Sequence, residues 1–399
     1  MSPGASRPPR VFLVAAEPSG DALGADLIAA LREQRPDVEI AGVGGPAMAR
    51  LGVESPFDIS DLSVLGVFDG LTILKLVHQR ARETAEAARA FGADAVVLID
   101  SWGFMLRAAW KLRELAPDIP LIKYVGPQVF ATRPGRAKTL ARTVDHLLAI
   151  HPFDPPYYAP HGLPVTFVGN PVLDRDLSGD GPGFRARHGI APDAPVLLML
   201  FGSRRKELER LFPPFAEAAS RLLEANPELR LVAPLAPSIA EPAREMIAGD
   251  PRLQGLIAVD ADERNDAYAA GDVALACSGT ATVELSRVGV PTIAAYRLGW
   301  LAWAIARAFL MRAKYISLVN LAADRELIPE FVQMRCTGET LACAVQSFLD
   351  DPALRAETAD ALRAVTRDML GEERAPSRSA AEAVLRIASG EPQRLDSGT

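Results

Sequence analysis

Asp100 is the side chain best placed for proton transfer in this sequence. It ends the apolar run AVVLID (95–100), and Ser101 and Trp102 follow it. A carboxylate at the carboxyl end of a strand built from Ala95 to Leu98 has low-dielectric surroundings, where its proton affinity can be tuned for general-base work on a hydroxyl. The same spacing also suits a simple cap on the next helix. Two further strings put small, hydroxyl and guanidinium groups directly after apolar runs. Gly202, Ser203 and Arg204 follow PVLLMLF (195–201), while Ser278, Gly279 and Thr280 follow DVALAC (272–277), with Glu284 one turn further in. Amides at a helix start and a bidentate guanidinium both suit phosphate. Two such turns in one domain fit a nucleoside diphosphate, with the Glu284 carboxylate accepting from a ribose diol. Neither turn carries the Lys-Ser/Thr pair of a Walker A loop.

Weaker signals lie in the first half. Glu17-Pro18-Ser19-Gly20-Asp21 follows VFLVAA (11–16); Gly20 permits a tight strand-to-helix turn, Ser19 or Asp21 can cap the helix, and the free amides there suit an anion or a polar sugar edge. Gly42-Val43-Gly44-Gly45-Pro46 lacks both the glycine spacing and the chain position of a nicotinamide fingerprint. Arg133, Arg136 and Lys138 gather at a turn and helix start, against the preference of the helix dipole. That placement points to an anionic ligand or to a solvated loop.

Elements that could position these groups are legible as alternation. The runs at 11–16, 95–100, 120–125, 146–151 and 165–169 are short, apolar and rich in β-branched residues, and several lead into helical patterns such as DALGADLIAALREQ. Strands alternating with helices at this spacing predict a parallel sheet covered on both faces. The pattern breaks at residues 176–189, where Gly, Pro, Asp and Ser displace apolar residues, and restarts at PVLLMLF as a second doubly wound domain. From Gly338 onward it reads as helices, and the last residues, EPQRLDSGT, read as disordered. The expected division is 1–175 and 190–340 as two α/β domains of Rossmann type facing a cleft, with helices and the disordered end over 341–399. Ligands in such folds bind outside the carboxyl ends of the strands.

Composition narrows the class. The 399 residues are 49% apolar and 23% charged, which is enough apolar material for large cores and far from the balance of a disordered chain. Net charge is −7 and the basic residues are dispersed, so no nucleic-acid partner is expected and any anion must be met locally. Cys277, Cys336 and Cys343 form no metal-spaced motif and no disulfide framework, so a reducing cytosol and no metal are expected. The start, MSPGASRPPR, has no apolar signal region, and secretion is not expected. LGWLAWAIARAFLM (298–311) is too short to span a bilayer, so it reads as a buried amphipathic helix or as one lying on a membrane surface with Trp300 and Trp303 at headgroup depth.

Taken in order, the motifs resemble those of the lipid-A-disaccharide synthase family, inverting glycosyltransferases of GT-B architecture. The strings that carry the likeness are EPSGD with DALGADLI, GVGGPAM (42–48), LSVLG (62–66), LID (98–100), YVGPQV (124–129), HPFD (151–154), FVGNP (167–171), FGSRRKE (201–207), SGTATVE (278–284) and YISLVNL with Pro329-Glu330. The resemblance implies transfer of a diacylglucosamine unit from its UDP derivative to diacylglucosamine 1-phosphate, without a cofactor. On it, Asp100 matches the catalytic base and Arg204 the phosphate-binding arginine. Gly202, Ser203, Ser278, Gly279, Thr280, Glu284 and Asn320 match the donor side, with Glu17, Ser19, Gly20, Asp21 and Arg133 on the acceptor side. It also implies a cytoplasmic protein peripherally bound to the inner membrane, and a homodimer as one possible assembly. Departures such as Gly169-Asn170-Pro171, where the family has Gly-His-Pro, fall mostly in the acceptor-side half. They leave as alternatives a transferase with another lipid or sugar acceptor, a UDP-sugar 2-epimerase, and a non-catalytic nucleotide-sugar-binding relative.

Overall fold

The computed structural model of the chain describes residues 7–60, 70–299, 314–371 and 375–391. It contains two compact units, divided at Pro171/Val172 and again at Met369/Leu370. In the first unit six parallel strands, β1 (Arg10–Ala15), β2 (Glu39–Val43), β3 (Ala95–Ile99), β4 (Leu121–Tyr124), β5 (His146–Ala149) and β6 (Val165–Phe167), lie in the order β2-β1-β3-β4-β5-β6. Their near-continuous apolar runs follow from burial on both faces. Phe12 and Val14 of β1 pack with Ala81, Ala85 and Ala88 of the helix Gly70–Phe91 and with Met105, Ala108 and Leu112 of the helix Trp102–Leu115. Val11 and Leu13 face the other way, onto Leu27, Ile28 and Leu31 of the helix Pro18–Gln34.

The second unit repeats the plan with β7 (Val196–Leu200), β8 (Arg230–Pro234), β9 (Ile257–Val259), β10 (Val273–Cys277), β11 (Thr292–Tyr296) and β12 (Glu330–Val332), ordered β12-β11-β10-β7-β8-β9 and all parallel. One face is covered by Leu208, Leu211 and Phe215 of the helix Arg205–Ala225 and by Leu341 and Val345 of the helix Gly338–Asp350. The other face meets Phe184, Tyr268 and Leu285. The Gly/Pro-rich break holds a short helix, Gly181–Arg187, whose Phe184 is buried in this unit. Strand β12 has no signature in sequence, since it is three half-buried residues at the sheet edge, directly after Pro329.

The helical residues expected after Gly338 divide between the units. Gly338–Asp350 and most of Pro352–Leu370 belong to the second, whereas Pro376–Ala388 returns to the first, where Ala380, Ala381 and Val384 join the core beside the helix Pro18–Gln34. The returning chain crosses the outgoing one at Gly169. This residue has φ +89, and a Cβ there would lie 1.9 Å from the Leu370 carbonyl oxygen, so only glycine fits.

Asp21 ties two of the sequence strings together. Buried at the start of its helix, its carboxylate accepts from the amides of Gly45 (2.7 Å), Ala47 (2.7 Å) and Met48 (3.1 Å). EPSGD and GVGGPAM therefore form one clamp, and Asp21 is a structural anchor whose lone pairs are directed at the backbone. Strings 62–66 and 300–311, with Trp300 and Trp303, and the end 392–399 lie outside the described residues.

Candidate active site

Strand order reverses between β1 and β3 in one sheet and between β7 and β10 in the other. Loops leaving the carboxyl ends of such a pair go to opposite faces and open a crevice between them. The β1/β3 crevice receives Glu17 to Gly20 from one strand and Asp100 from the other. Ser19 and Glu17 are exposed, Asp100 is half-buried, and the Ser19 hydroxyl donates to Asp100 Oδ2 over 3.5 Å. Gly20 is packed close to the end of β3, its missing Cβ position 3.5 Å from the Ile99 carbonyl oxygen.

The turn at Asp100 is sharp. Asp100 has φ +52 and Ser101 φ +33, consecutive non-glycine residues in the left-handed region, and the helix Trp102–Leu115 starts directly after them. Two groups from β4 hold this turn. The Tyr124 carbonyl accepts from the Asp100 amide at 2.9 Å, and the buried Lys123 ammonium donates to the carbonyls of Leu98 (3.2 Å), Tyr124 (3.3 Å) and Asp100. Burial lowers the Lys123 amine to about 7, against the pull of the Asp100 and Glu17 carboxylates. Lys123 is absent from the residues picked out in sequence. Its signal was a single charged residue in the otherwise uncharged strand LIKY, where charged side chains are seldom buried without a partner.

The basic turn folds against the same end of the sheet. Arg136 lies over the Trp102 ring at 4.9 Å, and burial together with the neighbouring Arg133 charge lowers its pKa. Arg133 is exposed at φ +49. Among the described residues none of Arg133, Arg136 and Lys138 pairs with a carboxylate, whereas Arg10, Arg113, Arg185 and Arg187 do.

In the second unit the two expected phosphate turns differ. At the first, Glu207 fills the helix start: its Oε2 accepts from the amides of Ser203 (3.1 Å) and Arg204 (3.2 Å), and its Oε1 from Arg204 Nη1 (3.1 Å). The Glu207 carboxylate, at the third helical position, thus reaches back to cap the helix start, while the Arg204 guanidinium, a donor only, accepts nothing in return. Gly202 and Ser203 shape the turn, Gly202 at φ +97 with no room for a Cβ beside Glu207. What remains available is the Arg204 side chain, 80% exposed. The second turn is open. Gly279 and Thr280 are exposed, nothing lies within 4 Å of a Cβ built at Gly279, and the amides of Gly279, Thr280 and Ala281 have no protein acceptor among the described residues. Ser278 is half-buried, its amide tied to the Ala295 carbonyl.

Glu284 is buried between two guanidiniums, Arg175 at 3.7 Å and Arg264 at 3.7 Å, with the Tyr268 hydroxyl at 3.4 Å. Asn320 is used up locally. Its amide nitrogen donates to Ile328 O and Glu330 Oε1 and its oxygen accepts from the amides of Leu327 and Ile328, so it organises the loop before β12 with no donor or acceptor to spare. Among the described residues no group of three His, Cys, Asp or Glu side chains is arranged to hold a metal ion.

The family profile described as lipid-A-disaccharide synthetase matches residues 11–385. The chain is 45% identical over 383 residues to the lipid-A-disaccharide synthase of Rhodospirillum centenum, covering 96% of this chain and 95% of that protein. It is 40% identical to the synthase of the same name from Ruegeria pomeroyi, with 96% of each covered. Among solved structures, UDP-GlcNAc 2-epimerase from Neisseria meningitidis bound to UDP-GlcNAc superposes at TM-score 0.61 and 11% identity, over 94% of this chain and all of that one (100%). A glycosyltransferase from Rickettsia africae superposes at TM-score 0.60 and 12% identity, over 96% and 99%. At such identities the structural likeness bears on the fold alone, and it agrees with the GT-B-type α/β fold expected.

Beyond β5 the chain forms an aromatic knot in which His151 stacks on Phe153 and Phe130 meets both rings edge-on. His151 Nδ1 and Asp154 Oδ1 are buried there without a hydrogen-bond partner. Burial pushes the Asp154 carboxyl up to about 7 and the His151 imidazole down to about 4. The folded chain thus holds the Asp154 proton more tightly than the unfolded chain does. The stability this contributes is full below the ordinary carboxyl pKa of about 4 and is lost as pH rises through about 7. Asp154→Asn cannot ionise, so its stability relative to wild type should improve steadily from pH 4 to pH 8 in urea titrations. A wild-type-to-variant difference that stays constant across that window would mean an unshifted Asp154.

Proposed function

Because the chain belongs to the lipid-A-disaccharide synthase family, we propose a division of labour among its residues for the reaction of that family. The enzyme is a hexosyltransferase that condenses UDP-2,3-diacylglucosamine with 2,3-diacylglucosamine 1-phosphate, giving lipid A disaccharide 1-phosphate and UDP. The epimerase reading rests on fold likeness at 11% identity and is not favoured.

Asp100 acts as the base. As the acceptor 6-hydroxyl oxygen bonds to donor C1, the carboxylate takes the hydroxyl proton, and the C1–O bond to the diphosphate breaks with inversion. Charge growing on the leaving UDP is met by the Arg204 guanidinium and the open amides of Gly279 to Ala281, donors already in place before the charge appears. Glu284 accepts from the ribose, while Gly202, Ser203 and Asn320 hold their loops. On the acceptor side, Glu17, Ser19 and the helix start at Gly20 line the sugar, and Arg133 with Arg136 meets the anomeric phosphate. The observation that carries this reading is the arrangement at the β1/β3 crevice, where Ser19, Asp100 and the Arg136 guanidinium over Trp102 come to one end of one sheet.

Both substrates are acylated, and no helix among the described residues is long and apolar enough to cross a membrane. Peripheral attachment to the cytosolic face of the inner membrane fits the Trp- and Arg-bearing sequence 298–311. Binding to anionic vesicles should then weaken as salt rises, and binding indifferent to ionic strength would count against a basic docking segment.

Two variants separate the roles. Asp100→Ala should lower kcat by about 100- to 10,000-fold, the usual worth of a general base, with UDP affinity kept. Near-normal turnover would remove Asp100 as the base. Arg204→Ala should weaken UDP binding by roughly tenfold to a hundredfold, the loss of one charge-assisted contact, and unchanged UDP affinity by calorimetry would exclude that contact.

A further inference from the structure

Lys123 neither takes the hydroxyl proton nor meets the leaving group, yet its surroundings are unusually specific. It is 2% exposed within β4, and an ammonium has three N–H donors. Three carbonyl oxygens receive them: Leu98 and Tyr124, from the ends of β3 and β4, and Asp100 itself. Two consecutive non-glycine residues at positive φ, Asp100 and Ser101, are strained, and such residues persist only where the surroundings over-determine them. The Asp100 peptide is gripped on both sides, its amide by the Tyr124 carbonyl and its carbonyl by Lys123.

We infer that Lys123 is a positioning residue of the glycosyl transfer, its ammonium holding the Asp100 turn in the left-handed conformation that presents the carboxylate to the acceptor hydroxyl. The inference rests on the reading of Asp100 as the base. Among the described residues the charges acting on Lys123 are Asp100 at the end of β3 and Glu17 at the end of β1, with the Arg136 guanidinium beyond, over the Trp102 ring. The helices on its other side offer Trp102, Met105, Ala109 and Leu140, which carry no charge. A neutral amine has only two N–H donors and must release one carbonyl, so the grip slackens as the proton is lost.

The test uses the full-length enzyme with Lys123→Met and Lys123→Arg, each also combined with Asp100→Asn, with folding checked by circular dichroism. Lys123→Met should lower kcat about tenfold or more while KM for the donor stays within about twofold, since the lost term is orientation of the base. The ratio of Lys123→Arg to wild-type kcat should rise between pH 6 and pH 9, because a guanidinium keeps its charge where the wild-type amine loses it. With Asp100→Asn in place, Lys123→Met should cost less than about twofold. A pH-independent ratio, or the same loss in both backgrounds, would overturn the inference. Should Lys123→Met fail to fold, the Lys123→Arg pH profile decides alone. Full activity in Asp100→Asn would instead refute the base assignment, an outcome distinct from either.

Discussion

The groups proposed to meet the substrates owe their places to one constraint, that neighbouring strands in both sheets run parallel. Parallel strands cannot be joined by a hairpin, so each is followed by a crossover and all carboxyl ends gather on one edge of the sheet. Where the strand order reverses, the loops from two adjacent strands leave toward opposite faces. The first sheet reverses between β1 and β3 and the second between β7 and β10. Those four strands end in the strings EPSGD, LID, FGSRRKE and SGTATVE. Ser19 and Asp100, 81 residues apart in sequence, thus become neighbours.

Electrostatics then sorts these loops by how their charges are spent. Several carboxylates are consumed by backbone amides: Asp21 by Gly45, Ala47 and Met48, Glu207 by Ser203 and Arg204, and Glu330 by Ile316 and Ser317. A carboxylate satisfied in this way makes a rigid loop and has little left for a ligand. The cations of the basic turn are the reverse case. Arg136 is partly desolvated against Trp102 with the Arg133 charge beside it, and among the described residues no carboxylate pairs with it, an arrangement that disfavours its charged form. In a chain of net charge −7, the proposed role of these cations is to supply locally the attraction for phosphate that the overall charge does not.

Periodicity and punctuation carried the sheets, because strands buried on both faces must be continuously apolar and the turns after them need Gly, Ser or Asp. What escaped was whatever depends on a partner distant in sequence. Lys123 reads as a stray charge in LIKY until the carbonyls of Leu98 and Asp100 are seen to face it. Asp21 and Asn320 read as ligand contacts because short polar residues look alike in sequence whether their lone pairs are free or taken. The edge strand β12 carries too few residues for alternation to register, and the return of Pro376–Ala388 to the first unit has no local signal, since an amphipathic helix does not state which core it will cover.

The two units solve one geometrical problem differently, and the difference marks where side-chain chemistry was needed. After β7 the chain turns through Gly202 at φ +97, where glycine carries no steric penalty, and the available functional group is displaced to Arg204. After β3 the turn is made by Asp100 and Ser101, which carry that penalty twice. Glycine at Asp100 would relieve the strain and remove the carboxylate. A carboxylate on a relaxed neighbouring residue would leave the switch point between β1 and β3 and lose its place beside Ser19. Keeping the group there requires compensation from outside the turn, and the β4 contacts provide it: one carbonyl for the Asp100 amide and one buried ammonium for its carbonyl. A strained residue held by a desolvated charge is poor economy for a mere helix cap. It is reasonable for a base whose direction must be fixed before the acceptor binds.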